Sequence, residues 1–274
     1  MNRLVVLLDF SPYTPTQLRL AYSWQEIFHL ELVFIHKVDG IAPTLSNRKG
    51  SEKIIEFNKK EAKKTFLKYL EESALSPDNS KTSFEAVSSQ LTHFLEGFLK
   101  PDDILLLGLK GTGFLKKILI GSTATTLINH LNQIIIAVPQ TIDATVPTKL
   151  VLSCQEKHSI NELALESILK TVGQKIKEIE LLTIIDEQEE LAPGKKYLEQ
   201  MSIKLGDGYE YKISIYENKD AFGEIKKRFS QCSTDFIVLQ KGSRNLNDKL
   251  FRRFFINDLI HDGNTPLIIL PIPD

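Results

Sequence analysis

The residues of this chain best suited to ligand chemistry are three spaced glycines and a serine. Gly108 and Gly111 follow the apolar run Ile104 to Leu107, and Gly121-Ser122 comes nine residues after Gly111. Glycine lets a backbone turn sharply and come close to a ligand. Gly121-Ser122 stands where a helical pattern begins, so unpaired N–H groups and a hydroxyl would face outward there. Such a helix N-terminus suits a phosphate.

The segments on either side of this loop have the pattern of a βαβ unit. Ile104 to Leu107 and Ile134 to Val138 are short apolar runs typical of buried strands, and Thr125 to Asn129 has a helical pattern. The crossover of such a unit is right-handed. One alternative is a glycine-containing turn that binds nothing. A Walker loop is excluded, because no G-x-x-x-x-G-K-[S/T] sequence occurs in the chain.

Composition and charge narrow the class of protein. The 34 Lys and Arg against 35 Asp and Glu give a net charge of −1, so no basic excess indicates a nucleic-acid partner. Two cysteines, Cys154 and Cys232, are too few for a disulfide framework. Leu4 to Leu8 is too short for a signal peptide, and no apolar stretch approaches the roughly 18 residues of a membrane span. We expect a cytoplasmic protein without a membrane or nucleic-acid partner.

The chain contains the same pattern twice. Lys149 to Cys154 repeats Arg3 to Leu8, and Glu178 to Asp186 echoes Glu31 to Asp39. Asp235 to Pro271 aligns with Asp103 to Pro139 without a gap. The offset of this last pair is 132 positions at both ends, from 103 to 235 and from 139 to 271. A repeat of this length is a duplicated domain rather than a solenoid. We predict domains at 1–143 and 148–274, with a linker near Thr141 to Thr148.

Strand and helix patterns alternate in each half, which is typical of a doubly wound α/β domain. The first half also contains strand patterns at Leu4 to Leu8, Glu31 to His36 and Phe84 to Val87, and helical patterns from Thr14 or Thr16 to Phe28, from Ser51 to Ala74 and from Leu91 to Leu99.

The glycine spacing resembles the nucleotide loop of the universal stress protein family, G-x2-G-x9-G-[S/T], carried here by Gly108, Gly111, Gly121 and Ser122. The whole chain resembles a tandem member of that family. The resemblance implies two five-stranded parallel sheets in the order 3-2-1-4-5, like those of the adenine nucleotide α-hydrolases, and ATP as the ligand. Any Mg²⁺ would come with the nucleotide, because no His, Cys, Asp and Glu cluster has metal-ligand spacing.

The resemblance also assigns roles within the site, between the first and fourth strands where the strand order reverses. It places Asp9 beside the ribose and adenine, although Asp9 has the alternative role of capping the following helix or loop. Backbone groups after the second strand would edge the adenine, and the helix start would hold the β- and γ-phosphates. The implied nucleotide-binding residues are Asp9, Phe10, Ser11, Lys37, Val38, Gly108, Gly111, Gly121, Ser122 and Thr123.

The second half lacks this set of residues. Bulky side chains would block phosphates that need to press on the backbone, so we expect no phosphate binding there. Gln155 replaces Asp9, Gln240 replaces Gly108, Ser243 replaces Gly111, Arg253 replaces Gly121, and Phe254 replaces Ser122.

The sequence therefore predicts an ATP-binding, stress-associated regulatory protein that binds nucleotide in its first domain only. No general base or activated water is identifiable, so hydrolysis would be slow at most, and an α-hydrolase-type enzyme would need catalytic residues that the chain lacks. The alternative is a nucleotide-free scaffold whose paired domains, the second above all, bind a protein partner. Whether two chains form a homodimer is left open.

The last strand of each half would be an edge strand in the implied order. Ile134 to Val138 and Pro266 to Leu270 are apolar, and bare apolar edges invite aggregation. We therefore predict that these two strands lie against each other across a pseudo-twofold axis, so that the chain forms an internal pseudo-dimer.

Overall fold

Ten strands form one continuous sheet that runs through both halves of the chain. The protein is seen in a computed structural model that describes residues 3–39, 48–75, 80–109, 122–154, 159–185, 191–217, 235–241 and 265–273. The strands of the first half are β1 (Arg3–Leu8), β2 (Glu31–Lys37), β3 (Thr82–Val87), β4 (Ile104–Gly108) and β5 (Ile134–Val138). Those of the second half are β6 (Lys149–Ser153), β7 (Glu178–Ile185), β8 (Glu210–Glu217), β9 (Asp235–Gln240) and β10 (Leu267–Leu270).

The strand order is β3-β2-β1-β4-β5-β10-β9-β6-β7-β8. All neighbours within a half are parallel, so each half has the order 3-2-1-4-5 that the family resemblance implied. Val5 of β1 lies between Val33 of β2 and Leu105 of β4. The central strands are apolar on both faces because helices cover both, as expected for a parallel sheet.

The two halves meet through an antiparallel pair of strands. Ile136 of β5 is opposite Ile268 of β10, with Ala137 opposite Leu267 on one side of that pair. The predicted pairing of the two edge strands is confirmed. β10 starts one residue later than expected, at Leu267, because Pro266 has no N–H to donate, although its carbonyl accepts from Ile237 at 3.0 Å.

Helices cover the faces of the sheet and match the predicted segments of the first half to within a few residues. Two of them end at left-handed residues, His29 with φ 58° after the first helix and Ala74 with φ 51° just beyond the second. The helices are α1 (Thr14–Phe28), α2 (Arg48–Glu72), α3 (Leu91–Phe98), α4 (Ser122–His130), α5 (Glu162–Val172) and α6 (Leu191–Leu205), with a 3-10 turn at Gly173–Lys175.

One strand of the second half, β8, had not been located from the sequence. Its residues Tyr211, Ile213 and Ile215 alternate with polar ones and pack against the core. That alternation is typical of a strand, and in β8, at the outer edge of the sheet, these three side chains are half-buried.

The segment between β5 and β6, which contains the predicted linker, is packed against α1. The indole N–H of Trp24 donates to the Thr145 carbonyl at 2.8 Å, and Arg19 donates to the Ile142 carbonyl at 2.6 Å. Ile142 itself is buried in the core. Together with the β5–β10 pair, these contacts hold the two halves in a single arrangement.

We expect residues 1–146 expressed alone to self-associate or to lose solubility. Without β10, β5 presents five buried-type residues on an open edge, which is a template for pairing with another chain. Light scattering of the fragment beside the full chain at equal concentration measures the effect. A stable, soluble monomeric fragment would show that β10 does not protect this edge.

Candidate functional site

The carboxyl ends of β1 and β4 form the point where the strand order of the first half reverses. The two strands pair directly, with Val6 opposite Leu106, while β2 and β5 lie outside them. The turn that begins at Asp9 follows β1, and Gly108 ends β4. The structure therefore brings the predicted β1 and β4 residues to one edge of the sheet, where ligands of open α/β sheets bind.

The turn after β1 is held by its own side chains. The Asp9 carboxylate accepts the N–H of Ser11 at 3.0 Å, and the Ser11 hydroxyl accepts the N–H of Tyr13 at 3.3 Å. Ser11 is buried, whereas Asp9 is exposed. Asp9 thus has the loop-capping role that the sequence left open as an alternative, and its contact with a ribose or adenine stays a prediction.

Phe10 has an unusual backbone and a crowded ring. Its φ of 54° lies in the left-handed region, which is unfavourable for a bulky side chain. The ring centroid is 4.2 Å from that of His36 and 5.7 Å from that of Tyr69, with the Tyr69 ring nearly parallel at 10°. The Tyr69 hydroxyl also donates to the Phe10 carbonyl at 3.2 Å.

The residues predicted to edge an adenine, Lys37 and Val38, end β2. Lys37 is exposed, while Val38 is buried and its N–H donates to the Val87 carbonyl at 2.8 Å. That N–H therefore extends the pairing between the β2 and β3 ends. A contact of this backbone with adenine stays a prediction, and it would have to use a group other than the Val38 N–H.

His36 is fixed beside Phe10 by its backbone contact. Its Nδ1 lies 2.7 Å from the Leu8 carbonyl. Burial lowers the pKa of His36 below its ordinary value of 6.5, although the Leu8 carbonyl and the carboxylates of Asp9 and Asp39 act in the opposite direction. The imidazole is therefore held in its neutral form more strongly than a free histidine.

Gly108 is crowded by Tyr13 from the start of α1. A Cβ atom at position 108 would lie 3.0 Å from Tyr13 Cβ and 3.3 Å from Tyr13 Cγ. Glycine is thus needed here for the packing of Tyr13, and the same missing side chain is what a ligand would need for close approach. The sequence pattern did not single out Tyr13 or Tyr69, because both lie outside the glycine motif.

The phosphate end of the site is described in part. Gly111 and Gly121 lie outside the described residues, and of Ser122 only the backbone is described, as the first residue of α4. Thr123 follows on α4 and is exposed. The predicted helix start at Ser122 is confirmed, and the phosphate contacts of these residues stay predictions.

The corresponding strand end of the second half is closed by an amide network. Gln240, which replaces Gly108, accepts the N–H of Asn161 through Oε1 at 2.6 Å and donates through Nε2 to the Pro271 carbonyl at 2.8 Å. Asn161 in turn caps α5 by accepting the N–H of Ala164 at 3.0 Å. The side chain that replaces the glycine thus ties β9, α5 and the segment after β10 together.

Solved structures share this architecture along the whole chain. A universal stress protein from Archaeoglobus fulgidus DSM 4304 superposes with a TM-score of 0.62 at 13% identity, and the match covers 100% of this chain and 97% of that one. The chain has the fold of a tandem universal stress protein. A candidate universal stress protein from Pseudomonas aeruginosa UCBPP-PA14 gives a TM-score of 0.56 at 10% identity, covering 98% and 93% of the two chains.

A domain of a transporter also matches the chain. The cytoplasmic domain of a prokaryotic cation chloride cotransporter matches with a TM-score of 0.50 at 12% identity, over 98% of this chain and 94% of that one. No protein-family model and no curated protein matches the sequence. At these identities the likeness establishes the fold, and function has to be argued from the site.

In the described ranges, no group of three or more His, Cys, Asp and Glu side chains could hold a metal ion, and no helix there is long and apolar enough to span a membrane. Cys154, just after β6, is fully buried, and burial raises the pKa of its thiol to about 12. It packs as a small apolar residue of the core.

We expect His36 to make stability depend on pH. Because its folded pKa is lowered, the unfolded chain binds more protons as pH falls below about 6.5, so the free energy of unfolding decreases there. Urea unfolding at pH 7.5 and 5.5 should show a larger loss for the wild type than for His36→Gln. His93→Gln, at an exposed histidine of α3, controls for the loss of one histidine. Equal losses in the wild type and His36→Gln would contradict this assignment.

Proposed function

We propose that the first half binds ATP at the carboxyl edge between β1 and β4, and that this binding serves a regulatory role in stress response. The observation that carries the proposal is the placement of Gly108 at this edge with α4 starting at Ser122 beyond it. The glycine spacing of the intervening loop and the fold support it. The residues for the phosphates are Gly108, Gly111, Gly121, Ser122 and Thr123, with Asp9 and Val38 toward the base.

Helix α4 has the charge distribution that a phosphate site needs. Its first turn, which starts at Ser122, has no acidic residue, so the N-terminal N–H groups face an anion without a competing carboxylate. The carbonyl groups at the C-terminal end of α4 accept hydrogen bonds from a residue of the second half. The buried Lys241 ammonium donates to the Asn129 carbonyl at 2.9 Å and to the Leu131 carbonyl at 3.3 Å. The second half thus supports the helix on which the proposed site depends.

The proposal is for binding rather than turnover. Among the described residues at this edge, the Asp9 carboxylate accepts a loop N–H, and Nδ1 of His36 is engaged with the Leu8 carbonyl. We assign both residues structural roles rather than the role of a general base. Any hydrolysis would therefore be slow, and the regulatory signal would be the bound nucleotide itself.

A nucleotide-free scaffold is the second candidate, and a specific observation favours it. At the carboxyl ends of the strands in both halves, the protein's own side chains pack against one another. These are Phe10 and Tyr13 in the first half and the hydrogen-bond network of Gln240 in the second. The ten-stranded sheet would then present two rigidly joined domains to a protein partner. The match to the cytoplasmic domain of a transporter shows that the same fold occurs as part of a larger protein.

We expect Gly121→Arg, which copies the second half, to abolish ATP binding. The arginine side chain would occupy the space where phosphates press on the backbone. Calorimetry measures the affinity, and thermal unfolding gives a second readout, because ATP at about 100 times its dissociation constant stabilises by roughly 2.7 kcal/mol. Gly97→Arg is the matched control, since a Cβ at this exposed position of α3 meets nothing within 4 Å. Unchanged affinity in folded Gly121→Arg would remove the phosphate loop from the site.

One nucleotide should bind per chain. Gln240 closes the second edge by bonding Asn161 and Pro271, and Arg253 and Phe254 stand in place of the glycine and serine at the helix start. Calorimetric titration of the full chain gives the stoichiometry directly. Two equivalent sites per chain would contradict the assignment of the second half as a non-binding copy.

A further inference from the structure

At the base end of the first-half cleft, small buried side chains lie beneath the Phe10 ring, and the space that this ring fills is called the hollow below. Val38 after β2, Ala62 of α2 and Ala86 of β3 form a buried cluster with exposed fractions of 5%, 6% and 9%. Phe10 and Phe84 pack over this cluster. Small residues leave room above them for a flat group, and in the structure Phe10 lies over them.

Two aromatic side chains flank the hollow, and each is held by contact with a backbone carbonyl. His36 is tied to the Leu8 carbonyl, and Tyr69 reaches from α2 to the Phe10 carbonyl. Each ring lies within stacking distance of the Phe10 ring, at 4.2 Å and 5.7 Å between centroids. A flat heterocycle in place of the Phe10 ring would meet the same two aromatic surfaces.

The left-handed backbone of Phe10 lies in a turn rather than at the end of a helix. Among the described residues, the other non-glycine residues with positive φ are His29 and Ala74, which end helices, where a left-handed residue is common. Phe10, with φ 54°, lies instead in the turn between β1 and α1, at the cleft. Strained residues that persist are held by their surroundings, and they cluster at ligand clamps and switches.

We propose that Phe10 is a gate residue for the base end of this cleft. Its ring occupies the hollow over Val38, Ala62 and Ala86, and a nucleobase enters only when the turn that carries Phe10 moves and takes the ring out of the hollow. The Tyr69 hydroxyl on the Phe10 carbonyl latches the closed arrangement. This inference rests on the proposed function because it concerns the same cleft. It adds that the Phe10 ring competes with a nucleobase for the hollow.

Competition of this kind has a measurable consequence. The apparent affinity for a base is reduced by the fraction of molecules in which the gate is open. Removing the Phe10 ring leaves every molecule able to bind the base. The apparent affinity then rises by the inverse of the fraction of wild-type molecules in which the gate is open. With one molecule in ten open, the gain would be roughly tenfold.

The test compares Phe10→Gly with His29→Gly in the full chain. Glycine accepts φ near 54° without strain, so Phe10→Gly removes the ring and relaxes the backbone together. His29→Gly relaxes the same kind of backbone at the far end of α1 and leaves the hollow intact. Calorimetry with adenosine, which has no phosphates, and with ATP is expected to show roughly tenfold tighter binding to Phe10→Gly and wild-type affinity for His29→Gly.

A milder variant keeps the proposal testable if Phe10→Gly fails to fold. Tyr69→Phe retains both rings and removes only the hydrogen bond to the Phe10 carbonyl. It should raise the affinity for adenosine by roughly two- to tenfold, the range of one neutral hydrogen bond. Circular dichroism verifies that each variant is folded before its affinity is compared.

The possible results separate the gate from the nucleotide site. Equal or weaker binding of adenosine and ATP by folded Phe10→Gly, relative to wild type, overturns the gate and leaves nucleotide binding standing. If ATP binds neither the wild type nor Phe10→Gly, the proposed function fails. Binding of adenosine to the two proteins then tests the gate. Adenosine bound by Phe10→Gly but not by wild type supports the gate, whereas no adenosine binding by Phe10→Gly overturns it.

Discussion

The antiparallel pairing of β5 with β10 is the contact on which the rest of the architecture depends. It joins two parallel five-stranded sheets into one and covers both of their apolar last strands, with Ile136 opposite Ile268 at its centre. Because the pair is antiparallel, the carboxyl ends of the two sets of strands lie at opposite edges of the joint sheet. Each half therefore has its own cleft edge, and the two edges could diverge separately.

The two edges differ in their packing at the aligned position that is Gly108 in the first half and Gln240 in the second. Gly108 leaves space at the end of β4, and Tyr13 packs into it. Gln240 at the aligned position fills that space with an amide that bonds to Asn161 and Pro271. In the second half, the position aligned with the first glycine of the motif therefore belongs to a set of hydrogen bonds that ties β9, α5 and the segment after β10 together. The second half also contributes Lys241 to the end of α4, so the copy without the motif supports the copy that keeps it.

The first-half cleft combines a predicted phosphate site with an aromatic base end. Its polar groups largely serve the fold, since Asp9 holds the β1–α1 turn and the Val38 N–H extends the strand pairing. In the proposed site, the groups assigned to the ligand are the α4 N-terminus and the hollow that the Phe10 ring fills. Phosphate affinity and access for the base would then be controlled by different residues on different elements.

The sequence by itself determined the strands of the first half, the duplication and the helix start at Ser122, because apolar runs, an ungapped repeat and spaced glycines are visible along the chain. The resemblance that those glycines carry supplied the strand order, and from it followed the pairing of Ile134 to Val138 with the last strand. Only the tertiary structure decided how the clefts are filled. Phe10 meets Tyr69 and Gln240 meets Asn161 across 59 and 79 residues, respectively, once α2 and α5 have packed on the sheet. Contacts between such distant side chains depend on the exact seating of helices on strands, and no local pattern of residues encodes that seating.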